Sequence, residues 1–107
     1  MSRTIRCLLF IPLLLSLNTA GAQTPDLVIG PYLQNVTSDS ITIMWETTSA
    51  VVGKVVYGED MLLDSAAESQ AAKIHQVTLS GLEPGTTYHY RCAWGSQLLV
   101  PATFTTA

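Results

Sequence analysis

The stretch Leu79-Ser80-Gly81-Leu82-Glu83-Pro84-Gly85-Thr86-Thr87-Tyr88-His89-Tyr90-Arg91 decides the fold. An alternating run ends at Leu79, a Gly/Pro/Gly cluster turns the chain, and a second alternating run starts at Thr86. Val77 and Leu79 share one parity before the turn. Tyr88, Tyr90, Cys92 and Trp94 share one parity after it, and Thr87, His89 and Arg91 take the opposite face. Period-two alternation of this kind is the pattern of a strand buried on one side. A Tyr placed just after a Leu-x-Pro-Gly turn commonly returns its hydroxyl to the backbone, locking a corner between two sheets.

Working outward, the same punctuation recurs along the chain. Asp26 to Gln34 reads as a first extended run bent at Gly30-Pro31, and Pro31, lacking an N–H, confines it to an edge or a kink. Asn35 to Asp39 is a turn cluster. Ser40 to Thr47 places Ile41, Ile43 and Trp45 inward and Thr42, Met44 and Glu46 outward. Thr48 to Ala50 reads as a loop, Val51 to Gly58 as a strand with Val55 and Tyr57 inward, and Met61 to Ser65 as a short edge strand. Lys73 to Leu79 is a strand. Gly95-Ser96-Gln97 is a hairpin turn, and Leu98 to Thr105 is the last strand, with Phe104 inward. About seven short strands in some 80 residues describe an all-β sandwich.

The first 22 residues have another character. Arg3 and Arg6 precede the apolar run Cys7 to Leu17, and Ala20-Gly21-Ala22 supplies a small-residue exit. This is the pattern of a secretory signal peptide, with cleavage expected between Ala22 and Gln23 and a secreted or periplasmic destination. The run is about half the roughly 20 apolar residues that a membrane anchor needs. Residues 23–107 then form one domain of 85 residues. Its basic residues are Lys54, Lys73 and Arg91 against eight acidic ones, a net charge of −5. That balance excludes a nucleic-acid binder and a polybasic membrane patch, both of which need clustered cations. Cys7 leaves with the leader, so Cys92 stands alone and no internal disulfide forms.

The stretch 79–91 resembles the tyrosine-corner signature of fibronectin type III domains, and Trp45 sits where that fold keeps its core Trp. A narrower resemblance runs through Gly30-Pro31-Tyr32-Leu33-Gln34, Ser40-Ile41-Thr42-Ile43-Met44-Trp45, Val55-Val56-Tyr57-Gly58 and His75-Gln76-Val77-Thr78-Leu79. In that order these segments look like the N-terminal domain of purple acid phosphatases and related exported metallophosphoesterases. Thr103-Phe104-Thr105-Thr106 resembles that family's last strand before the linker. The resemblance implies a fibronectin type III-like sandwich that precedes a catalytic domain with a dinuclear metal centre, its partner in cis.

The resemblance does not carry the chemistry. The family's ligands lie in an Asp two residues before a His, a Gly-Asp pair, a Gly-Asn-His triplet and later histidines, and none of these stands in this sequence. A two-metal site clamps phosphate and activates water only with such a ligand set. The expectation is therefore no catalytic, cofactor-binding or metal-binding residue in this chain, which is not itself an enzyme. It stops where the family's catalytic domain would begin, as a partial or shortened product would.

Other residues are weighed in the same way. His75 reads as a rim histidine beside a loop, and His89 as a surface residue next to Arg91. Glu59, Asp60 and Asp64 read as a solvated acidic loop lacking a calcium-binding series. Asn35-Val36-Thr37 fits a glycosylation sequon. Tyr32, Trp94 and the Gly95–Gln97 turn form a candidate contact patch. The alternative function is a free-standing secreted adhesion or carbohydrate-binding module, disfavoured because most aromatics take inward parity.

Overall fold

A computed structural model describes residues 24–107; the expected signal peptide lies outside the described residues. Eight strands follow in order: β1 (Leu27–Gln34), β2 (Ile41–Val51), β3 (Gly53–Gly58), β4 (Ser65–Glu68), β5 (Ala72–Leu79), β6 (Thr87–Trp94), β7 (Gln97–Leu98) and β8 (Ala102–Thr105). One sheet has the order β1-β2-β5. The other runs β4-β3-β6, with β7 and β8 both paired to the far side of β6. Every pairing is antiparallel, and the two sheets form a β-sandwich with the expected fibronectin type III-like architecture.

Alternation decides which side chains meet between the sheets. Ile41, Ile43 and Trp45 of β2, with Val77 and Leu79 of β5, face Val55 of β3, Tyr88, Tyr90, Cys92 and Trp94 of β6, and Phe104 of β8; all are buried. Tyr57 is half-buried at the margin of this core. Thr42 has outward parity yet is buried as well, its hydroxyl 3.0 Å from that of its cross-strand partner Thr78. The corner after β5 closes as its sequence requires. Glu83 N donates to the Tyr88 hydroxyl over 2.8 Å, and Leu82 is buried beneath it.

Four local readings need correction. Thr48 to Ala50 is strand rather than loop, because β2 runs on past a register shift to pair Val51 with Ala72. Its neighbour β3 accordingly starts at Gly53. The short strand expected at Met61–Ser65 lies instead at Ser65–Glu68, where it pairs with β3. Residues 59–62 are taken up by a turn in which Asp60 Oδ1 accepts from Leu62 N at 2.9 Å. Ala66 and Ala67 favour a strand poorly by themselves, and pairing with β3 outweighs that preference. Finally, the run Leu98–Thr105 is two strands. Pro101 offers no N–H to the ladder, and the segment between β7 and β8 is held by Arg91 Nε donating to Leu99 O at 2.7 Å.

β1 is the bent edge strand that Pro31 dictates. Its pairing with β2 shifts register on both sides of Ile29. Gly30, at φ +97°, lets the strand press close: a Cβ there would stand 2.9 Å from Met44 O and 3.0 Å from Trp45 Cα. Only a residue without a side chain tolerates that approach.

Candidate functional site

The most polar buried cluster centres on His75, and it contradicts the rim reading. His75 is 0% exposed. It shares parity with Val77 and pairs across the ladder with Trp45, so β5 turns its ring into the core. The ring stacks on Trp45 with centroids 4.9 Å apart and 18° between planes. Its two nitrogens meet two hydroxyls, Nε2 that of Thr47 at 2.9 Å and Nδ1 that of Ser69 at 3.1 Å. The Thr47 hydroxyl donates to Ser49 O at 2.9 Å. It therefore accepts from Nε2–H. The Ser69 hydroxyl has one proton for two acceptors, Gln70 O at 3.0 Å and His75 Nδ1 at 3.1 Å. Burial pushes the His75 pKa down from its ordinary value, which favours the neutral ring, with Nδ1 accepting from Ser69.

Gly53 completes the cluster. Its N–H donates to Ser69 Oγ at 3.1 Å, and its carbonyl accepts from Ser69 N at 2.8 Å. A Cβ at Gly53 would lie 2.6 Å from Trp45 Cζ2 and 2.7 Å from His75 Nδ1. The cluster thus ties β2, β3, β5 and the β4–β5 connection into one packed unit. It is a brace between sheets: both ring nitrogens are occupied, and the ring has no access to solvent. Sequence parity alone contained the signal for His75. Its nearness to a strand start argued the other way, and the longer β5 removes that objection.

The other candidates are dispersed. His89 is half-buried on the outer face of β6, across the ladder from Gly58 and Thr103. Glu59, Asp60 and Asp64 border an open polar cavity of about 320 Å³, together with Glu83 from the tyrosine corner. Among the described residues, no three His, Cys, Asp or Glu side chains converge as metal ligands would. Cys92 is buried, and burial pushes its thiol pKa up to about 12, so it packs as an inert apolar side chain. The expected aromatic patch dissolves. Trp94 is buried, with Nε1 donating to Pro25 O at 2.7 Å, which leaves Tyr32 alone at the surface. Asn35 is exposed in the turn after β1, with φ at +53°.

Some of the exposed apolar residues lie along one side of the sandwich, and others, Leu62 and Ile74 among them, lie elsewhere. Tyr32 and Leu33 on β1, Val36 beyond it, Leu98 on β7 and Val100 in the β7–β8 connection are all at least 41% exposed. All but Tyr32 border two apolar grooves where the edge of β1 faces the edge formed by β7 and β8. The larger, about 450 Å³, lies between Leu27, Pro31, Leu98 and Val100 with Tyr90 and Cys92 at its floor. The smaller, about 190 Å³, lies between Leu33, Val36 and Phe104.

Comparison with known proteins agrees with this architecture. The fold is similar to that of PhoD (TM-score 0.61, 21% identity), the match covering 69% of this chain and 18% of PhoD. It is also similar to the short sensor domain of the anti-sigma factor RsgI4 in Pseudobacteroides cellulosolvens, with TM-score 0.58 and 20% identity over 77% of this chain and 93% of that one. A computationally redesigned β-sandwich protein matches with TM-score 0.54 and 26% identity over 78% of this chain and 94% of its own. No curated protein sequence matches the chain. The family model for the purple acid phosphatase N-terminal domain matches residues 29–106, from β1 through the end of β8. The chain therefore belongs to the purple acid phosphatase N-terminal domain family.

Proposed function

We propose that this chain is a non-catalytic accessory domain, exported to the periplasm or the medium, which in its parent protein precedes a metallophosphoesterase catalytic domain. The observation that carries the reading is the family match over residues 29–106, which takes in nearly every residue of the sandwich. The chemistry of the histidines supports it. Metal-dependent phosphate ester hydrolysis needs imidazole nitrogens free to ligate two metal ions. His75 has both nitrogens committed to hydroxyls inside the core, and His89 stands on another strand in the other sheet. The hydrolytic ligands belong to the partner domain, and this chain supplies a folded support for it. The free-standing adhesion reading draws little from the aromatics, since Trp45, Tyr88, Tyr90, Trp94 and Phe104 are all buried and Tyr32 alone is exposed.

The test is a pair of proteins: the chain alone, and the protein encoded when the gene is read on past Ala107. The expected result is an Asp-x-His and Gly-Asp segment downstream, with metal-dependent phosphatase activity only in the longer protein. A stop codon at Ala107 in an intact gene, or a downstream domain of another chemistry, would contradict the reading.

A further inference from the structure

The Ser69 hydroxyl has three polar neighbours. Gly53 N stands 3.1 Å away, Gln70 O 3.0 Å and His75 Nδ1 3.1 Å. A hydroxyl has one proton to give and two lone pairs to receive with. Gly53 N only donates and Gln70 O only accepts, so the bond to Nδ1 is the one whose sense can reverse. While Nδ1 carries a lone pair, two acceptors compete for one proton. Once Nδ1 carries a proton, two donors meet two lone pairs, and the hydroxyl proton goes to Gln70 O. The backbone under this hydroxyl is held by Ser69 N donating to Gly53 O at 2.8 Å.

The other ring nitrogen repeats the pattern. The Thr47 hydroxyl lies 2.9 Å from Nε2 and donates to Ser49 O at 2.9 Å, an arrangement that requires Nε2–H. Either neutral tautomer therefore leaves one carbonyl, Gln70 O or Ser49 O, without its hydroxyl donor. Only the doubly protonated ring satisfies both hydroxyls and both carbonyls at once. The face of Trp45, with centroids 4.9 Å apart, also favours a cation. Burial works against the charge, so hydrogen bonding and desolvation oppose each other at one side chain.

Other charges stand back from this balance. Glu46 has the opposite parity on β2, Lys54 is exposed beside Gly53, and Lys73 is exposed on β5. Glu68, exposed at the end of β4, lines an open groove of about 360 Å³ together with Ser69 and Gln70. The inward titratable groups of the other sheet, Tyr57, Tyr88, Tyr90 and Cys92, are phenols and a thiol, which carry no charge in acid. The network around the ring thus reaches solvent through the Ser69 hydroxyl.

We propose that His75, Thr47 and Ser69 form a proton-binding site inside the sandwich, where acid turns the Ser69 hydroxyl from His75 Nδ1 to Gln70 O while the β4–β5 connection stays in place. One proton enters from solvent and one N–H bond forms at Nδ1; no other bond is made or broken in the net step. The device is a pH-sensitive switch that charges the core without opening it, and it stands independently of the accessory-domain reading.

The experiment is a pH titration of the histidine rings by NMR in the chain and in its Ser69→Ala variant, with His89 as the internal reference. In the wild type, both His75 nitrogens are expected to carry protons in acid while the Gly53 and Ser69 amides keep their native hydrogen exchange. Ser69→Ala takes the acceptor from Nδ1–H, and a charge-assisted bond is stronger than the neutral one it replaces. The midpoint of the His75 titration is therefore expected to fall by about half a pH unit or more. A midpoint that stays or rises in Ser69→Ala means that the hydroxyl serves only the neutral ring, and it overturns the proposal. So does a wild-type His75 that takes up its proton only as the chain unfolds, a result that needs no variant.

Discussion

On the β5 side of the sandwich, Trp45, His75 and Gly53 meet so closely that a single methyl group at residue 53 would collide with two rings. On the β1 side, the sheets part around apolar grooves of about 450 and 190 Å³. Both sides use the same alternation of large and small residues. They differ in their edges: β5 pairs with β2 in unbroken register from Ile74 to Leu79, whereas β1 is bent at Pro31 and the strand opposite it is broken at Pro101. Regular edges let the core close and carry stability. Irregular edges leave apolar surface uncovered, which is costly for an isolated domain and useful for one that is joined to a partner.

If stability resides on the closed side, substitutions there cost most. Trp45→Ala removes the ring on which His75 stacks and which lies 6.3 Å from Trp94, centroid to centroid. A loss of about 3–5 kcal/mol is expected, comparable to the whole stability of a small domain. Urea or thermal unfolding checks it, and a variant melting within a few degrees of the wild type would mean that the closed side is not the keystone. Gly53→Ala comes next, at about 1–3 kcal/mol, because the added carbon must displace Trp45 or His75. The same unfolding assay reads it, and a neutral result would show that the cluster yields.

Tyr88→Phe keeps the ring stacked on Phe104 and deletes only the hydroxyl that receives Glu83 N. The expected loss is about 1–2 kcal/mol by chemical denaturation; no loss would mean that the corner bond contributes nothing. The His75 cluster adds a pH dependence. The folded-state pKa lies below 6.5, the unfolded-chain value, so the unfolded chain takes up the proton first. The contribution is fully present above that value and is lost as pH falls from there through the folded-state pKa. Urea midpoints at about pH 7.5 and about pH 5 are expected to differ more for the wild type than for His75→Gln. Equal differences would remove His75 as the source. The smallest effect belongs to the open side: Val100→Asp is expected to change the stability of the chain alone by no more than about 0.5 kcal/mol.

The two central strands, β2 and β6, were the most legible in sequence. Ile41, Ile43 and Trp45, then Tyr88, Tyr90, Cys92 and Trp94, declare their faces by strict alternation, and the 79–91 stretch announces its corner through its turn residues. Elements that depend on a neighbour were harder to read. Ala66 and Ala67 have no strand preference of their own and become β4 only because β3 offers a ladder. Thr48 to Ala50 looks like a loop until β5 pairs beyond it. Pro101 had the signal for a break, but the apolar run on both sides of it read as one strand. His75 shows the same limit. Its parity pointed inward, but the hydroxyls that make a buried imidazole acceptable, Thr47 and Ser69, come from two other places in the chain. The grooves have no local signature, because they arise from two irregularities some 70 residues apart.

The accessory-domain proposal holds that this chain folds and supports but performs no hydrolysis. It is tested most directly by assaying residues 23–107 with a chromogenic phosphomonoester at acid and neutral pH, with and without added iron, zinc or manganese. The account predicts no turnover above background under any of these conditions, because one histidine is locked in the core and the other stands apart from it. Metal-dependent turnover that disappears in His75→Ala or His89→Ala would contradict it.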